Sequence, residues 1–241
     1  MNILFKWTMF ACIFILSNHV ISREPVRLCN PANSICITGV LEFPQNEGPH
    51  PAVVLLHGAA GWHTKYALLA GSLADSGFVA LALDYYADVG SSAIGSEAKL
   101  MKWPHYQTGV RNAVAYLHTL KQVADQPVGL VGFSRGAFLA VSVAGSIPSV
   151  KAVVDFFGGG GGGPEPLKKD VQGLPPLLIL HGASDSIVPL RFAYDLKEAV
   201  LDAGGTVEVH VYAEEEHGLS EATLPDALRR MTLFPKAHLA R

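Results

Sequence analysis

The chain has 241 residues, 49% of them apolar and 16% charged, which suits one globular domain with an ample core. A formal net charge of −3 supplies no basic field for nucleic acid, and no acidic tail is present. Charge alone names no partner.

Residues 1–22 differ from the rest. Lys6 supplies a positive start, Trp7 to Leu16 is apolar but for Thr8, and Val20 and Ser22 fit the small-residue cleavage rule. We read 1–22 as a secretory signal peptide cut near Ser22, leaving 23–241 as one domain that is secreted or periplasmic. A core of ten residues is too short to span roughly 30 Å of hydrocarbon, so no membrane span is expected after cleavage. Phe10 stands where a lipoprotein box ahead of Cys12 wants a small residue. Next come Cys29 and Cys36, flanking the turn-rich NPANSI. In an oxidising compartment such a pair becomes a disulfide. With the signal retained they would be free thiols, and a zinc site lacks ligands at suitable spacing.

Short apolar runs then alternate with helical patterns. Strands are predicted over 35–43, 52–57, 78–84, 128–133, 150–157, 177–182 and 206–212, most of them continuously apolar, as strands buried on both faces are. Between them Val110, Val114, Leu117 and Leu120 recur at helical spacing, as do Phe192, Leu196 and Val200. This alternation predicts an α/β fold, a mostly parallel twisted sheet with helices on both faces. The last strand alternates Val207, Val209 and Val211 with Glu208, His210 and Tyr212, which predicts a wetter face near the sheet edge. The glycine run Gly158 to Gly163 reads as a mobile loop and lacks the spacing of a phosphate cradle. No repeat or second domain is expected.

Sheets of this kind place their sites at the carboxyl ends of the strands. At one such end, VGLVGFSRGAF puts Ser134 between Gly132 and Gly136, on a tight turn from strand to helix. Small residues two before and two after let the chains pass closely and leave Ser134 Oγ exposed, with the Arg135 amide at the helix start. A serine hydroxyl needs a base and an orienting carboxylate, in the order serine, acid, histidine. LLILHGASDSIVP supplies Asp185 just past a strand, where capping a turn is its plainer role. TVEVHVYAEEEHG leads to His217. The other histidines fit worse: His57 precedes the serine and reads as a positioned loop residue, His181 precedes the acid on its own strand and is expected to pack there, and His210 lies inside a strand. LLHGAAG, ending the 52–57 strand, offers the Ala59 amide as a second oxyanion donor beside that of Arg135.

LLHGAAG, DYYA, GFSRGA, DFFGG, HGASDSIVP and EEEHGL, from about Ile37 to His217, together resemble the dienelactone hydrolase family of α/β-hydrolases. The resemblance implies an α/β-hydrolase fold, a hydrolytic triad, a small-molecule ester substrate, no metal and no organic cofactor. Two departures are informative. Founders of the family carry cysteine as the nucleophile and a glutamate at the place of Gly58; here Ser134 stands with Gly58, and a serine activated by His217 needs no such glutamate. Founders also hold a substrate carboxylate with two arginines, whose places are taken by Asp88 and Glu221. An acidic pair repels an anion, about 1 kcal/mol even in water at 4 Å, so neutral or cationic esters are expected. Arg135 would restore anion binding unless its side chain, which opens a helix, points away. Trp62, Tyr85 and Tyr86 stand where they would line a pocket, though strand-end aromatics are as often core. Two further readings remain at this point: a serine peptidase of the prolyl-oligopeptidase type, disfavoured by the lack of a gating domain within these 241 residues, and an inactive binding relative that keeps the fold alone. Of Glu214, Glu215 and Glu216, most are expected to face solvent, because carboxylates crowding His217 would hold it protonated.

Overall fold

A computed structural model describes residues 23–88, 102–161 and 167–240. The signal peptide expected over 1–22 lies outside the described residues, as do Gly162 and Gly163. Eight strands form one sheet: β1 (Arg23–Asn30), β2 (Ile35–Glu42), β3 (Ala52–Leu56), β4 (Val79–Asp84), β5 (Val128–Phe133), β6 (Val150–Phe156), β7 (Leu177–Gly182) and β8 (Val207–Tyr212). Among the described residues the helices are α1 (Thr64–Asp75), α2 (Trp103–Thr119), α3 (Arg135–Ala144), α4 (Leu167–Asp170), α5 (Arg191–Asp202) and α6 (Leu224–Leu239).

The strand order is β1-β2-β4-β3-β5-β6-β7-β8, with the β1–β2 and β2–β4 pairings antiparallel and all the others parallel. The central strands are buried along their whole length, as β3 (AVVLL) is, because helices cover both faces. One core cluster joins Leu56, Leu81 and Leu130 to Val110 and Leu117 of α2, Leu139 of α3 and Leu196 of α5. The other joins Val53, Leu55 and Val131 to Leu73 of α1 and Met231 of α6. Adjacent residues of β3 thus serve opposite layers, which is the period of a strand made visible. β8 forms an edge and its residues are mostly half-buried, as its alternation predicts.

β1 was not expected. It pairs with β2 across its full length, Arg23 opposite Glu42 and Cys29 opposite Cys36, with Asn30 receiving the Asn33 and Ser34 amides at the turn. Only Val26 and Leu28 pack inward, while Glu24, Pro25, Arg27 and Cys29 are exposed, so its apolar signal is weak. Cys29 and Cys36 are joined in a disulfide. No helix among the described residues is long and apolar enough to cross a membrane.

The glycine run also departs from expectation over its described part. Gly158, Gly159 and Gly160 are buried. A Cβ at Gly158 would lie 2.4 Å from Ala137 Cβ, and one at Gly160 would lie 2.0 Å from Leu167 Cδ1. The Gly158 amide donates to Asp155 Oδ1 and the Gly161 amide to Asp170 Oδ2. These glycines are needed for close approach, and the segment to Gly161 is packed rather than mobile.

Candidate active site

Three strand ends supply the groups expected to act together. β5 ends at Phe133, and Ser134 turns into α3 with φ 53° and ψ −120°, a conformation costly for a residue with a Cβ. The turn is held by the Ser134 amide on Phe156 O and by Ala137 N on Ser134 O. A Cβ at Gly132 would lie 2.3 Å from Gly136 O, and one at Gly136 would lie 2.3 Å from Leu56 O. Both glycines are therefore demanded by backbone contact, and the strained turn at Ser134 sets its Oγ against His217.

After β7, the Asp185 carboxylate is buried and divided between two tasks. Oδ1 accepts the amides of Ile187 and Val188, closing the loop, while Oδ2 accepts from His217 Nδ1 at 2.7 Å. The expected turn-capping contacts are thus made, and the same carboxylate also meets His217. A carboxylate only accepts, so the His217 proton sits on Nδ1 and the bare Nε2 takes the hydrogen bond from Ser134 Oγ at 2.9 Å. The imidazole side chain is 17% exposed, open enough to exchange protons with a substrate. Ser134, His217 and Asp185 form one unbroken chain of hydrogen bonds, the geometry of an activated nucleophile.

The loop carrying His217 lies directly on the acid strand. A Cβ at Gly182 would be 2.4 Å from Glu215 O and 2.3 Å from Glu216 O, and the Ser184 amide donates to Glu215 O. Glu214 and Glu216 are exposed, as expected; Glu215 is not. Its side chain is buried, with Oε2 on the Ser220 amide and Oε1 between the hydroxyls of Ser220 and Thr223. The Ser220 hydroxyl first, then that of Thr223, hold its carboxyl below the usual range. Its charge is taken up by Ser220 and Thr223.

His181 and His57 take the supporting places expected of them. His181 is fully buried, donates from Nε2 to Val188 O in the acid loop, and burial pulls its pKa down. His57 is fully buried, with its ring stacked on Tyr85 at 4.0 Å and Nδ1 donating to Gly58 O. Phe157, which the sequence did not single out, has φ 56° and sets its ring 5.7 Å from that of His217.

The first loop, with Ala59 exposed at its tip, approaches the serine: a Cβ at Gly58 would be 3.5 Å from Ser134 Cβ. Ala59 and Arg135 thus stand on the two loops that meet at Ser134. The Arg135 guanidinium lies near enough to Tyr85, Tyr86 and Tyr106 to lower their phenol pKa values, against a larger upward push from burial. Its Nε is buried without a hydrogen-bond partner among the described residues.

The pocket candidates fare differently. Tyr85 is 1% exposed and its hydroxyl donates to His57 O, so it is wall beneath the loop rather than pocket lining; Tyr86 is buried beside it. Trp62 lines a cavity of about 390 Å³ against the β1–β2 hairpin, with Pro25, Arg27, Val40 and Asp84, rather than one around Ser134. Asp88 accepts from the Cys36 amide and lies 3.7 Å from His105 Nε2, which explains its acidity structurally. Glu221 is exposed on the approach to α6. Among the described residues, no three His, Cys, Asp or Glu side chains gather as a group that could hold a metal.

The model of the dienelactone hydrolase family matches residues 37–228 of this chain. A Synechocystis protein described as a carboxymethylenebutenolidase is 26% identical over 207 residues, 78% of this chain and 83% of that protein. Human acyl-coenzyme A thioesterase 1 is 31% identical over 157 residues, 65% of this chain but 34% of that longer protein. Among solved structures, a dienelactone hydrolase from Anabaena variabilis superposes with a TM-score of 0.72 at 17% identity, covering 92% of this chain and all of that one.

Proposed function

The chain belongs to the dienelactone hydrolase family and acts as a hydrolase on esters, and we propose that it cleaves small neutral or cationic carboxylic esters through an acyl-enzyme on Ser134, outside the cytoplasm. The hydrogen-bonded chain from Ser134 through His217 to Asp185 is the observation that carries this reading. Ser134 Oγ attacks the ester carbonyl carbon as its proton passes to His217 Nε2. The carbonyl oxygen becomes an oxyanion, met by the amides of Ala59 and Arg135. Collapse expels the alcohol, which takes the proton from His217 and leaves an acyl-Ser134. Water, deprotonated by His217, repeats the sequence and releases the acid. Asp185 keeps the imidazole in the right tautomer and stabilises its charged form.

The charge preference rests chiefly on exposed Glu221, since Asp88 is drawn to the Cys36 amide. Secretion rests on the leader-like residues 1–22 and agrees with the Cys29–Cys36 disulfide. An acyl thioester is a second substrate class, favoured by the 31% identity to human acyl-coenzyme A thioesterase 1. The same acyl-enzyme serves it, with a thiol as the leaving group.

A fluorophosphonate probe is expected to label the wild type and not Ser134→Ala. A hydrolysis screen over esters and thioesters of varied chain length, with Ser134→Ala as blank, then ranks substrates. Ester pairs differing only in charge test the remaining claim: faster turnover of the anionic member would overturn the preference. Absence of labelling would overturn the hydrolase mechanism itself and favour an inactive binding relative.

A further inference from the structure

We propose that Tyr66 is a positioning residue for catalysis, one side chain that sets the Ala59 and Arg135 amides against each other across the nucleophile. The inference rests on the ester-hydrolase reading above. Tyr66 lies in the first turn of α1, next to the sheet, and is 5% exposed. Its hydroxyl accepts the Gly58 amide at 3.1 Å, one residue before Ala59. Its ring packs edge-on against Phe133 at 5.5 Å, one residue before Ser134. A single rigid phenol therefore touches both loops whose next amides face the developing oxyanion.

The rest of the first loop is restrained on its other side. Tyr85 donates to His57 O, while Gly58 O accepts from His57 Nδ1 and from the Gly61 amide. With those atoms fixed, the Gly58 amide is where α1 reaches the loop. Releasing it removes the hold of α1 on the Gly58 backbone, so that Gly58 shifts and the Ala59 N–H on the following peptide shifts with it. Burial raises the Tyr66 pKa, so the phenol keeps its proton near neutrality and its oxygen stays a neutral acceptor. The pairing with Gly58 therefore holds across the working range.

Complete loss of one oxyanion donor costs about 10² to 10³ in rate. Misplacing a donor costs less, so Tyr66→Phe is expected to lower kcat roughly tenfold to a hundredfold, with KM within about twofold. An aryl boronic acid, which forms a tetrahedral adduct on Ser134, is expected to bind Tyr66→Phe more weakly by about the same factor. A carboxylate product analogue, which needs no oxyanion contact, is expected to bind as before. A merely structural role predicts lower thermal stability with no selective loss of boronate affinity. Full kcat in Tyr66→Phe, or a fall in kcat with boronate affinity unchanged, would overturn the proposal. Should Tyr66→Phe fold poorly, 3,5-difluorotyrosine at position 66 keeps the ring and shape and, assayed beside the wild type at about pH 6 where the acidified phenol keeps its proton, makes a weaker acceptor; it is expected to lower kcat and boronate affinity together, and unchanged values there also overturn it. Fluorophosphonate labelling at Ser134 reports separately on the hydrolase reading, so the two ideas fail on different results.

Discussion

Glu215 Oε1 lies 2.5 Å from Thr223 Oγ1, joining the loop that carries His217 to the residue that opens α6. Ser220 adds its amide and hydroxyl to the same carboxylate. Because these donors lower the Glu215 pKa, the ionised form is favoured in the folded state. Its contribution is present above the ordinary glutamate range and is lost as pH falls through the lowered value, so the tie holds at neutrality and loosens only in acid. Glu215→Ala should lower kcat about tenfold by letting His217 wander, with little change in KM. Glu215→Gln keeps a carbonyl acceptor and should retain most activity. Steady-state kinetics on both variants check this; equal loss in the two would mean that charge, rather than the tie, is what matters.

The division of labour within Asp185 makes its amide variant informative. In Asp185→Asn, the side-chain oxygen can keep the Ile187 and Val188 amides, which leaves the NH2 group facing His217 Nδ1. Nδ1 must then accept, the proton moves to Nε2, and Ser134 Oγ loses its base. A fall in kcat of about 10⁴ is expected, with the fold retained. Near-wild-type circular dichroism together with that loss supports the assignment. A loss of tenfold or less would point to another acid.

The hydrogen-bonded set of Ser134, Asp185 and His217 could be picked out in the sequence because each member follows an apolar run and the order along the chain restricts the choice to one histidine. That logic uses only local pattern and chain order. The role of Glu215 could not be read this way: among three identical neighbours, the buried one is chosen by where Ser220 and Thr223 fold back. The packed glycines were illegible for a similar reason. The residues that press on Gly159 and Gly160 are Phe138, Phe192, Leu196 and Leu167, drawn from three separate helices. Tyr66 carries no motif at all, and only the structure brings its hydroxyl to Gly58. A strand like β1, with two inward side chains, an exposed proline and an exposed arginine, offers too little apolar alternation to be found.

Gly158→Ala tests the packing of that glycine run. The added Cβ would lie 2.4 Å from Ala137 Cβ and within 2.9 Å of both Asp155 carboxylate oxygens. Backbone must shift to admit it, an overpacking cost of about 1–3 kcal/mol. Ala137 belongs to α3, whose first residue is Arg135, so activity should fall along with stability. Urea unfolding and kcat on the same preparation measure both. An unchanged urea midpoint would mean that the segment yields freely, as a mobile loop would.

Asp155 offers a test in which pH does the work. It lies on β6 between Gly132 and Ile179, fully buried, with Oδ1 on the Gly158 amide and Oδ2 without a hydrogen-bond partner among the described residues. Burial pushes its pKa up to about 8, against a smaller downward pull from the Gly158 amide. An unfolded aspartate releases its proton near 3.9. Between those two values the folded chain holds a proton that the unfolded chain has lost, so unfolding releases it. Stability from this group is therefore full below about pH 4, falls as pH rises, and is gone above about pH 8, a change of several kcal/mol at most. Asp155→Asn keeps the acceptor for Gly158 and has nothing to ionise. Its urea midpoint should vary less between pH 5 and pH 8 than that of the wild type, with the variant gaining relative stability at the alkaline end. Parallel slopes for the two proteins would show that Asp155 titrates as an ordinary carboxylate. The same pair separates two causes of an alkaline loss of activity: a decline that Asp155→Asn removes comes from unfolding, and one that it leaves intact belongs to the reacting groups.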